Sequence, residues 1–220
     1  GPSNLCAELS KHGVERQRTV SEYCISSRSL LGYAYLMKGR GAMAKQPLLA
    51  LFFRHPVDTE DQPLSVQHIL ETIQHVRDEQ RLSAAARVLL RTSPFRVPRR
   101  TCREVAQTLD LVRGAEVWEE LKLTDEIERY TSLVGQIEAC RGQEEPTIVI
   151  CFTHEPFFVE NASFRPDIGF FNWLMQRNLL DGASFVAAKI PTTEFGNSAS
   201  ILLDWNADAT KRVLGYYPGT

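Results

Sequence analysis

The chain has 220 residues, of which 43% are apolar and 24% charged, and these proportions exclude a largely disordered protein. Its formal net charge of −2 provides no global field that would attract nucleic acid or an anionic membrane. No apolar run reaches the roughly 18 residues that cross a bilayer. We treat 1–220 as a single domain and exclude Gly1-Pro2 from the fold as a tag remnant.

Cysteine and histidine spacing exclude the common metal and disulfide frameworks. The five cysteines are scattered along the chain and form no C-x-x-C pair, which is typical of a reducing compartment. His68 and His75 lie seven residues apart on a predicted helix, about 10.5 Å, which is too far to bind one zinc ion together. We therefore expect an intracellular, cytoplasmic protein with no metal and no cofactor.

Apolar runs and helical spacing predict the first elements of the chain. Pro47–Phe53 is a continuous apolar run and predicts a strand that is buried on both faces of a sheet. Apolar residues then recur at helical spacing from Val66 to Val76, and Thr101–Glu104 has the capping-box pattern that starts helices. We therefore predict a helical insertion of about 80 residues over 64–142.

The C-terminal part of the chain predicts a β-α-β-β-α unit over 147–214. A second continuous apolar run opens Thr147–Glu155 and predicts another buried strand. The elements after it are a helix, two strands and a short helix, over Phe171–Leu179, Ser184–Ile190, Ala199–Trp205 and Ala207–Leu214. We expect the first strand pair to be parallel and the second to be an antiparallel hairpin. The whole pattern predicts an α/β (or α+β) fold with a single mixed sheet.

The two buried strands end in similar polar sequences. Arg54-His55-Pro56 follows the first strand, and His154-Glu155-Pro156 follows the second. Proline ends each strand because it has no N–H to donate to the sheet. If the two strands are parallel neighbours, His55 and His154 emerge at one edge of the sheet, where α/β folds bind their ligands.

The residues around the second strand end have the types that nucleophilic catalysis needs. A thiol nucleophile requires a base within hydrogen-bonding reach, and the base requires an orienting acid. His154 supplies the base, Glu155 or Asp204 the acid, and Cys151 or a bound water the nucleophile. Three residues of strand span about 10 Å, so Cys151 reaches His154 only if the chain turns sharply between them. The alternative is that Cys151 belongs to the core and His154 is a hydrogen-bonded loop residue.

Charge divides the central block into two halves. Seven arginines and two acidic residues lie between Arg87 and Arg113, whereas nine acidic and three basic residues lie between Ala115 and Glu145. Helices of opposite sign can neutralise each other by packing together. The alternative is a polarised surface that docks a protein partner through complementary charge. The residues that we predict to bind a partner or ligand are Arg54, His55, Arg96, Arg99, Arg100 and Arg103.

Three functional hypotheses remain, because no motif resembles a known family closely enough to name a reaction. The first is an intracellular protein-interaction or regulatory domain that binds a partner through the charge-polarised helical block. The second is a hydrolase or acyl-type transferase with a site at the strand ends around Cys151, His154 and Glu155. The third is nucleic-acid binding through Arg87–Arg113, and none of the three involves a membrane.

Overall fold

The computed structural model describes residues 45–57, 65–111, 115–122, 128–154, 157–158, 169–191, 195–206 and 210–219. These residues belong to one compact unit, Lys45–Thr220. The predicted single domain 1–220 and its tag remnant also concern residues 1–44, which lie outside the described residues. Within the described ranges, no helix is long and apolar enough to cross a membrane.

The described residues form one mixed sheet of six strands with helices on both of its faces. The strands are β1 (Leu48–Arg54), β2 (Arg87–Thr92), β3 (Glu116–Val117), β4 (Thr147–Thr153), β5 (Ser200–Asp204) and β6 (Arg212–Tyr217). The helices are α1 (Gln67–Glu79), α2 (Arg96–Thr108), α3 (Glu128–Ala139), α4 (Phe170–Gln176) and α5 (Gly182–Ala187), with a 3-10 turn at Glu119–Leu121. The predicted α/β class with a single mixed sheet is confirmed.

The path of the chain through the sheet explains where the helices lie. The strand order is β3-β2-β4-β1-β5-β6, with β1 to β4 mutually parallel and β5 antiparallel to both of its neighbours. The chain moves in one direction from β1 to β2 to β3, so right-handed connections place α1 and α2 on the same face. It then returns to insert β4 between β2 and β1, and α3 therefore covers the opposite face.

Strand β1 contributes to two separate cores, because successive side chains of a strand point to opposite faces. Leu48, Ala50 and Phe52 pack in the core beneath α3 and α4. Leu49, Leu51 and Phe53 pack in the core beneath α1 and α2. Burial on both faces is the physical reason why β1 is apolar at six consecutive positions.

The prediction of an all-helical block over 64–142 is wrong. The block contains three helices, but β2 and β3 lie between them. Val88–Leu90 pair with β4 in the sheet, and a short apolar run cannot by itself distinguish a strand from a helix. Thr101 does not cap a helix but lies within α2, where its hydroxyl donates to the Val97 carbonyl at 3.0 Å.

The predicted β-α-β-β-α unit over 147–214 has a different order of elements. Most of Ser184–Ile190 is helical, because α5 begins at Gly182 and the Asp181 carboxylate accepts a hydrogen bond from the Ala183 amide at 3.0 Å. β5 confirms the strand expected over Ala199–Trp205, but it pairs with β1 and β6. Of the segment predicted as the last helix, residues 212–214 belong instead to β6, and residues 207–209 lie outside the described residues.

We expect Phe52→Ala to lower the free energy of unfolding by about 3–5 kcal/mol, because it leaves a cavity in a filled aromatic core. The Phe52 ring is fully buried, and its centroid lies 5.5–5.8 Å from those of Phe157, Phe170 and Phe171. Urea unfolding measures the change. Val186→Ala is the control, because this side chain is 76% exposed and its loss should cost less than about 0.5 kcal/mol. Equal losses in the two variants would contradict the packing described.

Candidate active site

Two histidines meet at the carboxyl edge of the sheet. β1 and β4 are adjacent and parallel, and their register aligns Arg54 with Thr153. The His55 amide donates to the Thr153 carbonyl at 3.0 Å, which extends the pairing by one step. The rings of His55 and His154 are consequently in contact, edge to face, with centroids 4.8 Å apart. The expectation that both histidines emerge at one edge is confirmed.

The tautomer of His55 follows from its backbone contact. Its Nδ1 lies 2.6 Å from the carbonyl oxygen of Pro56, and a carbonyl can only accept a hydrogen bond. Nδ1 must therefore carry the proton. In the neutral ring the lone pair is then on Nε2, the nitrogen on the far side of the ring, which is the form that a nucleophile or base requires.

His154 is held as a neutral imidazole between two rings. Its own ring contacts that of His55 on one side and that of Phe95 on the other, with a centroid distance of 4.7 Å to Phe95. The pKa of His154 is lowered to about 4, mainly by burial and to a smaller extent by electrostatic repulsion from His55 and Arg54. A group with this pKa is a weak base at neutral pH, but its remaining N–H can donate a hydrogen bond.

Several buried polar atoms lack a hydrogen-bond partner within the described part of the chain, and Nε2 of His154 and the hydroxyl oxygen of Ser93 are two of those at this edge. Ser93 directly follows β2, and its amide donates to the Phe152 carbonyl at 3.0 Å, so it lies beside the end of β4. Buried polar groups are rarely left without partners, and this pair therefore marks a place where a polar ligand could bind.

Three cationic residues lie near this edge, Arg54 close to His154 itself and the other two close to Phe95. The Arg54 guanidinium donates through Nη1 to the Phe195 carbonyl, which fixes the arginine beside β5. The end of β2 leads through Pro94 and Phe95 into α2, so Arg96 opens that helix next to the ring that contacts His154. Nζ of Lys122 lies 6.0 Å above the Phe95 ring.

A buried hydrogen bond ties the Lys122 segment to the strand. The Thr153 hydroxyl donates to the Leu121 carbonyl at 2.8 Å, and both side chains are fully buried. The 3-10 turn that precedes Lys122 is thereby attached to the last residue of β4. The cation is held near the site by the same strand that supplies His154.

The arginines of α2 line a cavity of about 440 Å³ next to Pro94, the residue that follows the unpartnered Ser93. Its lining residues are Pro94, Arg96, Arg99, Arg100 and Arg103. Helix α3 lies on the other face of the sheet, so it does not pack against α2 as the neutralisation hypothesis expects. The basic and acidic halves do contact each other within the sheet, where Arg91 of β2 forms an ion pair with Glu116 of β3 at 2.9 Å.

The structure does not bring Cys151 to the site. The side chain is fully buried in the core beneath α3 and α4, and burial raises the pKa of its thiol well above the ordinary range. A thiol that is both protonated and inaccessible cannot attack a substrate at the sheet edge. The predicted nucleophilic role of Cys151 is therefore corrected to the alternative, a small core residue.

Asp204 lies at the opposite edge of the sheet. β5 runs antiparallel to β1, and Asp204 pairs with Leu49, about 16 Å along the strand from Arg54. Its carboxylate accepts a hydrogen bond from the Asn206 amide at 2.8 Å. It cannot orient His154 from there, and that predicted role is wrong. Glu155, the other predicted acid, lies outside the described residues.

Sequence reasoning missed three contributors to the site: Ser93, Phe95 and Lys122. Ser93 and Phe95 follow β2, and Lys122 follows the turn that is bonded to the end of β4, whereas the sequence pattern predicts a helical block over 64–142 that includes β2. The useful signal was Ser93-Pro94, a polar residue and a proline after an apolar run, as at the other two strand ends. Among the described residues, no group of three or more His, Cys, Asp or Glu side chains is placed to hold a metal ion.

Comparisons with known proteins give structural similarity alone. No protein-family model matches the sequence, and a search of curated proteins finds no match. Phosphohistidine phosphatase SixA from Agrobacterium tumefaciens is similar over 79% of this chain and 99% of its own, with a TM-score of 0.42 and 17% identity. Phosphoglycerate mutase from Plasmodium falciparum is similar over 76% of this chain and 89% of its own, with a TM-score of 0.43 and 8% identity. TM-scores this low carry no conclusion about activity.

We expect His154 to make the protein less stable as the pH falls from about 6.5 to about 4. In this range the unfolded chain protonates the imidazole but the folded protein does not, so protons favour unfolding. His154→Gln should therefore give a shallower dependence of unfolding free energy on pH than the wild-type protein. Urea titrations across this range measure both curves, and equal m-values would show that the unfolding transition itself is unchanged. Parallel curves would contradict the lowered pKa.

Proposed function

We propose that this protein hydrolyses phosphate monoesters, with His55 as the nucleophile. The observation that carries the proposal is the pair of contacting histidines at the carboxyl edge of the sheet, with Arg54 close enough to His154 to lower its pKa and Arg96 next to Phe95, whose ring contacts His154. A phosphate monoester carries up to two negative charges at neutral pH, and arginine binds phosphate through a planar fork of N–H donors. Cations placed around a nucleophile also stabilise the charge that develops during phosphoryl transfer.

The tautomer of His55 supports its assignment as nucleophile. The Pro56 carbonyl holds the proton on Nδ1, so the Nε2 lone pair attacks phosphorus and forms an N–P bond. The bond from phosphorus to the ester oxygen breaks, and its electron pair leaves with that oxygen, which takes up a proton from solvent water. A second water then attacks phosphorus, the N–P bond breaks with its electron pair returning to Nε2, and inorganic phosphate leaves.

The neighbouring residues hold the phosphoryl group in this proposal. The N–H of neutral His154 donates to a phosphoryl oxygen, and the guanidinium groups of Arg54 and Arg96 bind the others. A bound phosphate dianion also offsets the positive charges that contribute to the low pKa of His154. An acyl-type transferase is supported less well, since the thiol that it would use, that of Cys151, is buried.

The test is hydrolysis of p-nitrophenyl phosphate by the full chain. We expect His55→Ala to lower kcat/KM by at least about 1,000-fold, because it removes the atom that bonds to phosphorus. His75→Ala is the matched control, since His75 lies on α1 with a side chain that is 65% exposed. Thermal unfolding of both variants separates loss of chemistry from loss of fold.

A covalent intermediate gives a second, independent readout. Rapid acid-free quenching with a phosphorus-labelled substrate should trap label on the wild-type protein as an acid-labile phosphoramidate, with none on the His55→Ala variant. If the folded His55→Ala variant kept more than about a tenth of the wild-type kcat/KM, the nucleophilic role of His55 would be wrong.

A further inference from the structure

Arg96, Arg99 and Arg103 form a row of arginines along α2, which we call the arginine ladder. The row begins next to Phe95, the residue whose ring contacts His154. The face of α2 that packs on the sheet is made of Pro98, Thr101, Cys102, Val105 and Ala106, all of them buried. Arg96, Arg99 and Arg103 lie on the outer side and are exposed. A helix rises 1.5 Å per residue, so the ladder extends about 10.5 Å from Arg96 to Arg103.

Two cavities meet at Arg99 and Arg103, which line both of them. The cavity of about 440 Å³, at the start of α2, has only arginines and Pro94 in its wall. The second cavity, of about 610 Å³, lies between α2 and β3 and has a different wall. Its apolar lining residues are Ala106, Leu111, Ala115 and Val117, and it also has one acidic residue, Asp110. Together the cavities form one groove, which is cationic at the start of α2 and has an apolar wall at its other end; we name it the α2 groove.

We propose that the substrate is a phosphorylated polypeptide with acidic side chains close to its phosphorylated residue, bound along the α2 groove. This inference rests on the proposed phosphatase function and adds its class of substrate. Arg96 contacts the phosphoryl group itself, whereas Arg99 and Arg103 bind neighbouring carboxylates. Clusters of arginine are a recurrent means of recognising acidic and phosphorylated peptides.

The length of the ladder fits an extended peptide. A peptide in extended conformation advances about 3.3 Å per residue, so three residues cover the 10.5 Å between Arg96 and Arg103. An acidic side chain within three positions of the phosphorylated residue therefore reaches Arg99 or Arg103. An apolar side chain beyond it reaches the part of the groove lined by Leu111 and Val117.

The far end of the groove favours a polypeptide over a nucleic acid. A nucleic acid carries one phosphate per nucleotide, so its strand would bring further negative charge to the apolar wall and to Asp110. The net charge of −2 on the chain provides no compensating long-range attraction. A polypeptide can place carboxylates at the arginines and an uncharged side chain at the apolar wall.

The test compares two substrates in one charge-reversal variant of the full chain. We expect Arg99→Glu/Arg103→Glu to lower kcat/KM for an acidic phosphopeptide by at least about tenfold. Hydrolysis of p-nitrophenyl phosphate should fall at least about fivefold less than hydrolysis of the phosphopeptide, because this small ester has no neighbouring carboxylate for either arginine to bind. Lys45→Glu/Arg212→Glu is the matched control, since it makes the same change in charge at exposed positions by the opposite edge of the sheet. Equal loss with both substrates, or equal loss in the control variant, would overturn the proposal.

Peptide binding separates failure of this proposal from failure of the proposed function. Fluorescence anisotropy with the same acidic phosphopeptide is measured on the His55→Ala variant, with and without Arg99→Glu/Arg103→Glu. Binding that depends on these arginines supports the α2 groove even if no phosphate ester is hydrolysed. If the protein hydrolyses p-nitrophenyl phosphate but shows no such binding, the proposed phosphatase function stands and the proposal of peptide binding in the α2 groove is wrong. Tighter, equally arginine-dependent binding of a single-stranded oligonucleotide would also overturn the polypeptide assignment.

Discussion

The parallel, in-register pairing of β1 with β4 is the constraint on which the candidate site depends. It aligns Arg54 with Thr153, and the hydrogen bond from the His55 amide to the Thr153 carbonyl continues this alignment beyond the strands. The next residues, His55 and His154, are therefore neighbours, and their rings are in contact. A slip of one residue would exchange the faces to which every side chain of β4 points, and two filled cores oppose such a slip. Hydrophobic burial thus fixes the distance between two polar rings.

The same burial gives the site its electrostatic character. His154 is enclosed by the rings of Phe95 and His55 and lies near the positive charge of Arg54, and these neighbours disfavour its protonated form. A desolvated imidazole next to positive charges does not add to the stability of the fold. Such arrangements are concentrated at functional sites, where a bound anion supplies the missing interactions. The buried Ser93 hydroxyl at the same edge, which has no hydrogen-bond partner among the described residues, is consistent with this interpretation.

Topology also determines what the arginines of α2 can do. Because β4 is inserted between β2 and β1, helix α3 lies on the other face of the sheet. α2 packs on the sheet through its apolar side, and Arg99 and Arg103 are exposed on its outer side. A net charge near zero for the whole chain therefore conceals a cationic groove, which only the arrangement of the layers makes available.

The sequence by itself determined the two central strands, the α/β class and the three residues Arg54, His55 and His154 at their ends. Burial on both faces leaves an unmistakable run of apolar residues, and proline after a polar residue marks where such a run stops. Tertiary structure decided the rest. β2 was missed because its short apolar run fits a strand or a helix equally well, and pairing with β4 settles that choice. Cys151 and Asp204 had suitable chemistry but the wrong positions, because the face and the direction of a strand depend on its neighbours rather than on its own residues.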